Sequence, residues 1–136
     1  MSRIWDVESN KFVEVYNGYL NIKREATDGI NPGTYISSNM LKLAKGNKVQ
    51  EIMDKMANLW NNSNDNQQVY DMEQVVFEEN KCTIKMSVFF DEDRKEHLMK
   101  FRVISRDLKG QKKIDYIKLN RCKCRELYAN IRDNVI

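Results

Sequence analysis

The side chains that could perform catalysis or bind a metal ion are few. The chain has 136 residues with one histidine, His97, and three cysteines. A single imidazole provides neither a histidine cluster for a metal ion nor a Ser-His or Cys-His relay. We expect His97, within DEDRKEHLMK, to be an exposed residue at a strand edge.

The cysteines are Cys82, Cys122 and Cys124. An odd number of cysteines, two of them separated by one residue, is poor material for a disulfide framework, so we interpret them as reduced thiols. In a helix, positions two apart point in different directions, which disfavours a zinc site at Cys122 and Cys124. Cys124 is better interpreted as a small apolar residue of the last helix.

The acidic residues suggest no catalytic site either. Asp91–Asp93 has no glycine-centred calcium-loop pattern, and we assign it to a solvated turn. Glu79–Lys81, with Asp71 upstream, has the carboxylate-x-lysine spacing of half of some metal-dependent nuclease sites, but a polar β-turn is the preferred interpretation. The phosphate-binding patterns GxxxxGK[ST] and GxGxxG do not occur. The sequence therefore predicts a protein that is not an enzyme, has no metal or cofactor, and works by binding.

Length and composition predict one packed domain. The chain is 41% hydrophobic and 32% charged, too apolar for a disordered tail and long enough to bury a core. No apolar run approaches the roughly 20 residues of a membrane span, and MSRIWDVESNKF lacks a signal-peptide pattern. We expect a cytoplasmic protein, or a nuclear one if it is eukaryotic.

The positive charge is concentrated in one segment. Between Arg94 and Arg125 there are twelve lysines or arginines and three acidic residues, a local charge of +9. Because the whole chain carries +3, the remainder carries −6. Such asymmetry suggests an anionic partner, with a solvated lysine-rich surface as an equally weighted alternative.

The strongest local pattern is a β-hairpin at residues 13–23. Asn17 and Gly18 supply the two residues of a tight turn and so fix the strand register. The expected pairs are Tyr16 with Tyr19, Val15 with Leu20, and Val13 with Ile22. The four aliphatic residues then share one face, and the two tyrosines lie with Phe12 on a face directed to solvent.

A loop at 27–34 should follow the hairpin, and then a short strand or the start of a helix. Apolar spacing predicts an amphipathic helix at 47–61 with a methionine-rich core stripe. The wholly polar segment 61–68 is interpreted as a linker or long loop. Beyond it, period-two alternation predicts four antiparallel strands, and Asn120 should cap a last helix ending near Val135.

The predicted fold class is α+β. It comprises an N-terminal hairpin, a C-terminal four-stranded meander and two amphipathic helices that pack on the sheets. One domain is expected to span 1–136. Two sheet-plus-helix repeats, 1–61 and 69–136, are an alternative, because Tyr-Ile-x-x-Asn occurs at both 35–39 and 116–120.

The predicted meander mixes basic and aromatic side chains on one face. If a helix covers the apolar face, Lys85, Phe89, Lys100, Arg102 and Lys118 tend toward the uncovered one. Cations that neutralise phosphates beside rings that stack on bases suit single-stranded nucleic acid. The predicted nucleic-acid-binding residues are Lys85, Phe89, Lys100, Arg102, Lys113, Lys118, Arg121, Tyr16 and Tyr19. A tyrosine pair that only stabilises the hairpin is an alternative for the last two.

The second half, residues 69–136, resembles the sheet-plus-helix unit of Whirly, PUR-domain and positive-cofactor-type coactivator proteins. The features that match are four predicted strands, the strand end IDYIKLN and the helix RCKCRELYANI directly after it. The resemblance implies single-stranded DNA or RNA bound along the strands, and a homodimer or tandem repeats of the unit.

Two other functions remain open. The order helix, four strands, helix also resembles kinase-associated C-terminal domains, which implies that the basic residues contact anionic phospholipids. The third alternative is a protein-interaction module, such as a regulator or inhibitor from a mobile element, with exposed Tyr and Arg as hot spots.

Overall fold

A computed structural model gives the fold as two antiparallel sheets and two helices, which confirms the predicted α+β class. The described residues are 3–16, 18–25, 35–42, 47–62, 74–79, 82–106 and 109–135. In chain order the elements are β1 Ile4–Trp5, β2 Lys11–Tyr16, β3 Tyr19–Glu25, β4 Tyr35–Lys42, α1 Asn47–Asn62, β5 Gln74–Glu79, β6 Cys82–Asp91, β7 Glu96–Arg106, β8 Lys112–Asn120 and α2 Arg121–Val135. The loop predicted at 27–34 and residues 63–68 of the predicted linker lie outside the described residues.

The first sheet has the strand order β1-β2-β3-β4 and is built around the predicted hairpin. The predicted register is confirmed: Tyr16 pairs with Tyr19, and Val15 pairs with Leu20. Gly18 has a φ of 79°, the left-handed conformation that a two-residue hairpin turn needs. The structure adds β1 on one side, and on the other the segment after the loop forms the strand β4, one of its two predicted alternatives, so the N-terminal element is a sheet rather than a hairpin alone.

The other face of this hairpin is more buried than predicted. Phe12, Glu14 and Asn21 are buried, although alternation placed their side of the ribbon toward solvent. The ring of Trp5 packs 4.8 Å from that of Phe12, and the Glu14 carboxylate pairs with Lys23 Nζ at 2.6 Å. Period-two alternation assigns residues to faces, but it does not reveal what covers the second face.

The second sheet has the order β5-β6-β7-β8, with each strand antiparallel to the next along the chain. The strand predicted at VVF, residues 75–77, pairs with β6 through a register shift between Val75 and Phe77. The β7 and β8 strands complete the four antiparallel strands that alternation predicts. Each half of the chain therefore runs four strands and then a helix, although repeats within the sequence remain a prediction.

One hydrophobic core joins both sheets and both helices. Its buried members are Ile4, Val13, Val15, Leu20, Ile22, Ile52, Met53, Met56, Trp60, Ile84, Met86, Val88, Met99, Phe101, Val103, Ile117, Leu119, Cys124, Leu127 and Ile131. The methionine-rich stripe of α1 and the apolar stripe of α2 both contribute, as predicted. Neither described helix has the length and apolar character needed to cross a membrane.

The helices connect the two halves. The α1 helix, which follows the first sheet, packs against β5 and β6 of the second sheet. The α2 helix follows the second sheet and packs against β1 and β2 of the first, as well as against β7 and β8. Each helix thus covers apolar surface of the other half, and neither sheet would be fully covered by its own helix.

The N-terminal segment also binds the second sheet. The Asp6 carboxylate accepts hydrogen bonds from the backbone N–H groups of Glu8, Ser9 and Lys118, the last at 2.7 Å. The Val7 N–H donates to the Lys118 carbonyl at 3.0 Å. These bonds pair both backbone groups of Lys118 in the outer strand β8 and fix the N-terminal segment beside it.

The buried position of Leu127 predicts the effect of removing its side chain. Leu127→Ala should lower the free energy of unfolding by about 2–5 kcal/mol, because truncation leaves a cavity where both sheets meet α2. Urea unfolding followed by circular dichroism would measure this. The neighbouring exposed residue provides the control, since Glu126→Ala should change stability by less than about 0.5 kcal/mol. Equal effects of the two changes would contradict the packing of α2.

Candidate functional site

Three cross-strand rows bring the predicted basic and aromatic residues onto one face of the second sheet. The rows are Lys85–Arg102–Tyr116, Ser87–Lys100–Lys118 and Phe89–Leu98–Asn120. We call Lys85, Phe89, Lys100, Arg102, Tyr116 and Lys118 the basic face. The register confirms that these side chains share one side of the sheet.

Alternation in the sequence produces this arrangement. Between the basic-face positions of β6 lie Ile84, Met86 and Val88, all buried in the core. Successive side chains of a strand point to opposite faces, so burying these three directs Lys85 and Phe89 away from the core. In β7 and β8, too, the residues that alternate with the basic ones face the core.

Tyr116 is the most prominent aromatic residue of the basic face, with 39% of its surface exposed. Lys100 Nζ lies 4.6 Å and Lys11 Nζ lies 4.3 Å from the centroid of its ring. Both distances are within the range of a favourable cation–π contact. The ring therefore stays partly open to solvent beside two ammonium groups.

Lys11 reaches this site from the other half of the chain. Its Nζ donates to Asp115 Oδ1 at 2.9 Å and to the Tyr116 carbonyl at 3.2 Å. The contacts depend on β2 packing beside β8, so Lys11 had no local sequence signal and was not predicted. Tyr116 is not among the predicted site residues, although alternation along β8 gives it the same face as Lys118.

Lys118 lies between an aromatic ring and a carboxylate. Its Nζ is 5.6 Å from the Phe89 ring centroid and 3.1 Å from Glu8 Oε2. The ion pair is partly exposed, and such pairs contribute little to stability. A ligand phosphate could therefore replace the Glu8 carboxylate at small cost.

One end of the basic face is apolar. Ile114 is 55% exposed and pairs across strands with Ile104, in the row next to Tyr116. Exposed branched side chains next to a ring give a base or sugar a nonpolar surface to contact. The face thus combines cations, rings and apolar surface.

Four predicted site residues lie elsewhere. Lys113 is exposed near the start of β8, but its register position belongs to the opposite side of the sheet. Arg121 begins α2, next to Trp60. Tyr16 and Tyr19 belong to the first sheet, where both are only partly exposed, and the Tyr16 hydroxyl accepts a 3.5 Å bond from Asn21. The structure does not bring these four residues into the basic face.

The prediction for His97 is wrong. His97 lies in β7, an inner strand of the sheet, and its ring packs edge-on against Phe90 with centroids 5.1 Å apart. It is partly buried, and its Nε2 has no solvent exposure. The environment of His97 depends on the inner position of β7 in the sheet, which the sequence pattern does not specify.

The end of β6 and the start of β7 meet the start of α2 at an open cleft of about 460 Å³. Its lining residues are Trp60, Phe90, Lys95, Glu96, His97, Asn120, Arg121 and Cys122. We call this the α2 cleft. Residues from both halves of the chain form its walls.

The acidic turn beside the cleft has a structural role. Asp91 Oδ1 accepts hydrogen bonds from the backbone N–H groups of Asp93 and Arg94, both at 3.0 Å. The Arg94 bond, more than any other cause, lowers the pKa of Asp91. The carboxylate is thus used to close the turn, as expected for a solvated acidic loop.

The two described thiols differ in environment. Cys122 is exposed, whereas Cys124 is buried and its Sγ lies 3.9 Å from Met99 Sδ. Burial raises the pKa of the Cys124 thiol to about 12. No three histidine, cysteine or acidic side chains among the described residues are grouped so as to hold a metal ion.

This difference predicts selective alkylation. Iodoacetamide at about pH 8 should modify Cys122 in the native protein and leave Cys124 intact, because only the exposed thiolate can react. Peptide mass spectrometry would measure both. In denaturant both should react, and equal native rates would contradict the burial of Cys124.

The raised pKa of Cys124 also makes the stability of the fold depend on pH. The stability gained by burying Cys124 as a protonated thiol is present below its ordinary pKa of 9.0 and is lost as pH rises toward 12.

Neither protein-family models, curated proteins nor solved structures give a significant match to this chain. The chemistry of the basic face and of the α2 cleft is therefore the basis for inferring a function.

Proposed function

We propose that this protein binds single-stranded DNA or RNA on the basic face and does not act as an enzyme. The observation that carries the proposal is the Tyr116 ring, partly exposed and flanked by Lys11 and Lys100 within 5 Å of its centroid. A base that stacks on this ring displaces one of the two ammonium groups from over it, and that group can then meet the adjoining phosphate.

The arrangement of charge supports the same ligand. Lys85 and Arg102 occupy the row of Tyr116, and Lys100 and Lys118 occupy the next row. Neighbouring strands are about 4.8 Å apart and alternate residues of a strand about 6.6 Å apart, so the four cations form a compact patch. Glu8 and Asp115 reduce its charge through the pairs with Lys118 and Lys11 but leave the patch positive.

A single strand fits this surface better than a duplex. Stacking on Tyr116 requires the face of an unpaired base, and bases within a double helix already stack on each other. The surface is a sheet face rather than a projecting helix that could enter a major groove. Phosphate contacts would supply most of the affinity, with stacking adding a preference for unpaired bases.

The resemblance to Whirly, PUR-domain and related proteins is part of this proposal. In that group a four-strand-plus-helix unit dimerises or occurs in tandem. Here two units of that order lie within one chain and share a core. Binding on the basic face therefore does not require a homodimer, which remains a prediction.

Charge reversal on the basic face tests the proposal. Lys100→Glu combined with Arg102→Glu should weaken binding of a fluorescent oligothymidylate at least about tenfold, because phosphate contacts are replaced by repulsion. The slope of log affinity against log salt should become shallower by about 2, one for each lost phosphate contact. Fluorescence anisotropy across a salt series would measure both.

The matched control changes the same charge on the helices. Lys55→Glu combined with Arg132→Glu alters two exposed residues of α1 and α2, away from the basic face, and should retain most of the affinity. Absent or salt-independent binding by the unaltered protein would contradict the proposal. Stronger binding to anionic phospholipid vesicles at the same salt would favour the lipid alternative instead.

A second variant separates stacking from charge. Tyr116→Ala should cost about 1–3 kcal/mol of binding to oligonucleotides, because it removes the stacking ring without changing the net charge. Ile114→Ala, two residues away on the same face, is the control, since it removes exposed apolar surface but no ring. Equal losses would mean that Tyr116 contributes only apolar area.

A further inference from the structure

The α2 cleft has the size of a site for one small organic ligand. Its volume of about 460 Å³ falls within the usual range of ligand pockets, about 300–1,000 Å³. Its lining combines aromatic rings with charged side chains, and elements from both halves of the chain form it. Neither the basic face nor the core packing accounts for such an opening.

Arg121 and Trp60 form a stacked pair in the cleft. The guanidinium carbon of Arg121 lies 5.2 Å from the Trp60 ring centroid, and its Nη2 donates to the Trp60 carbonyl at 3.4 Å. These contacts hold the guanidinium in a defined position at the start of α2. A fixed guanidinium can stack on a base or bind a phosphate, the two parts of a nucleotide.

The rest of the lining suits the same chemistry. Phe90 and His97 contribute two rings in edge-to-face contact. Lys95 supplies a second cation, and Glu96 the one carboxylate among the lining residues; Glu96 pairs with Arg94 at 3.3 Å. The cleft therefore presents three rings and two cations, of which Lys95 pairs with the exposed Glu92 at 3.5 Å, against one carboxylate that pairs with Arg94.

The cleft meets the side of the sheet that carries the basic face at one residue, Asn120. Asn120 occupies the same cross-strand row as Leu98 and Phe89, and it also lines the cleft. Its side-chain oxygen is fixed by the N–H of Lys123 at 2.9 Å, and Arg121 follows it directly. Leu98 in this row is buried, and Phe90 and His97 belong to the other side of the sheet, so a bound strand would reach the α2 cleft by turning round the end of β8 at Asn120.

We infer that the α2 cleft binds one nucleotide of the bound strand. The phosphate contacts Arg121 and Lys95, and the base packs on the aromatic lining. This inference rests on the proposed function and adds to it a defined site at one end of the strand's path.

Cys122 provides a local probe, because its exposed thiol lines the cleft. Saturating adenosine 5′-monophosphate or oligothymidylate should each slow iodoacetamide alkylation of Cys122 about tenfold, since a bound ligand covers most of its own pocket. Arg121→Gln should raise the concentration of adenosine 5′-monophosphate needed for protection about tenfold, by removing a charge-assisted contact. Rates are compared with and without ligand for each variant.

The matched control is Arg125→Gln. Arg125 lies one turn further along α2, is also exposed, and does not line the cleft. Protection should be unchanged in this variant. If Arg125→Gln weakens protection as much as Arg121→Gln does, general charge attraction explains the effect and the inference falls.

The remaining outcomes separate the inference from the proposed function. In the variant Lys100→Glu with Arg102→Glu, protection by oligothymidylate should be lost while protection by adenosine 5′-monophosphate persists. Oligonucleotide binding to the basic face without any Cys122 protection would overturn the cleft assignment alone. Protection by the mononucleotide without oligonucleotide binding would overturn the proposed function and, with it, the path from the face to the cleft. Equal protection by inorganic phosphate would reduce the cleft to an anion site and also overturn the inference.

Discussion

Burial of two apolar sheet faces in one shared core is the constraint on which the rest of the structure depends. Each sheet is apolar on one side, and α1 and α2 each pack against the sheet of the other half. Because both core sides are occupied, the alternate residues of β6, β7 and β8 must face outward. The basic face is therefore a direct consequence of how the core is closed.

The same packing explains why the site contains residues from distant parts of the chain. The bonds from Asp6 and Val7 to Lys118 hold the N-terminal segment beside β8. That position allows Glu8 to reach Lys118 and Lys11 to reach the Tyr116 ring. The α2 cleft likewise forms only where the end of α1 meets the start of α2.

Much of the fold could be predicted from short-range patterns. Asn17–Gly18 fixed the hairpin register, alternation located β6, β7 and β8, and Asn120 identified the cap of α2, where its side chain accepts the Lys123 N–H. These features depend on neighbouring residues, so one sequence contains the information.

The errors arose where long-range packing decides the outcome. The burial of Phe12 and Glu14, the inner position of His97 and the approach of Lys11 to Tyr116 depend on elements far away in the chain. The two-residue strand β1 is too short to show any periodicity. Alternation in the sequence assigns each basic residue to a face of its strand, but it does not identify the residues beside it on the neighbouring strands.

Two kinds of cation occur on and beside the basic face, and they should contribute differently to binding. The Lys11–Asp115 pair is largely enclosed, with 25% and 11% of the two side chains exposed, and it fixes an ammonium group beside Tyr116. Lys118 is about as enclosed as Lys11, with 24% of its side chain exposed, but its partner Glu8 is 39% exposed, so a phosphate could displace that carboxylate. A phosphate that displaces Glu8 would gain the Lys118 charge, so Lys118 should add to the salt dependence, whereas Lys11 stays paired with the enclosed Asp115 and should orient the base. Affinity and base orientation are thus supplied by different residues of one surface.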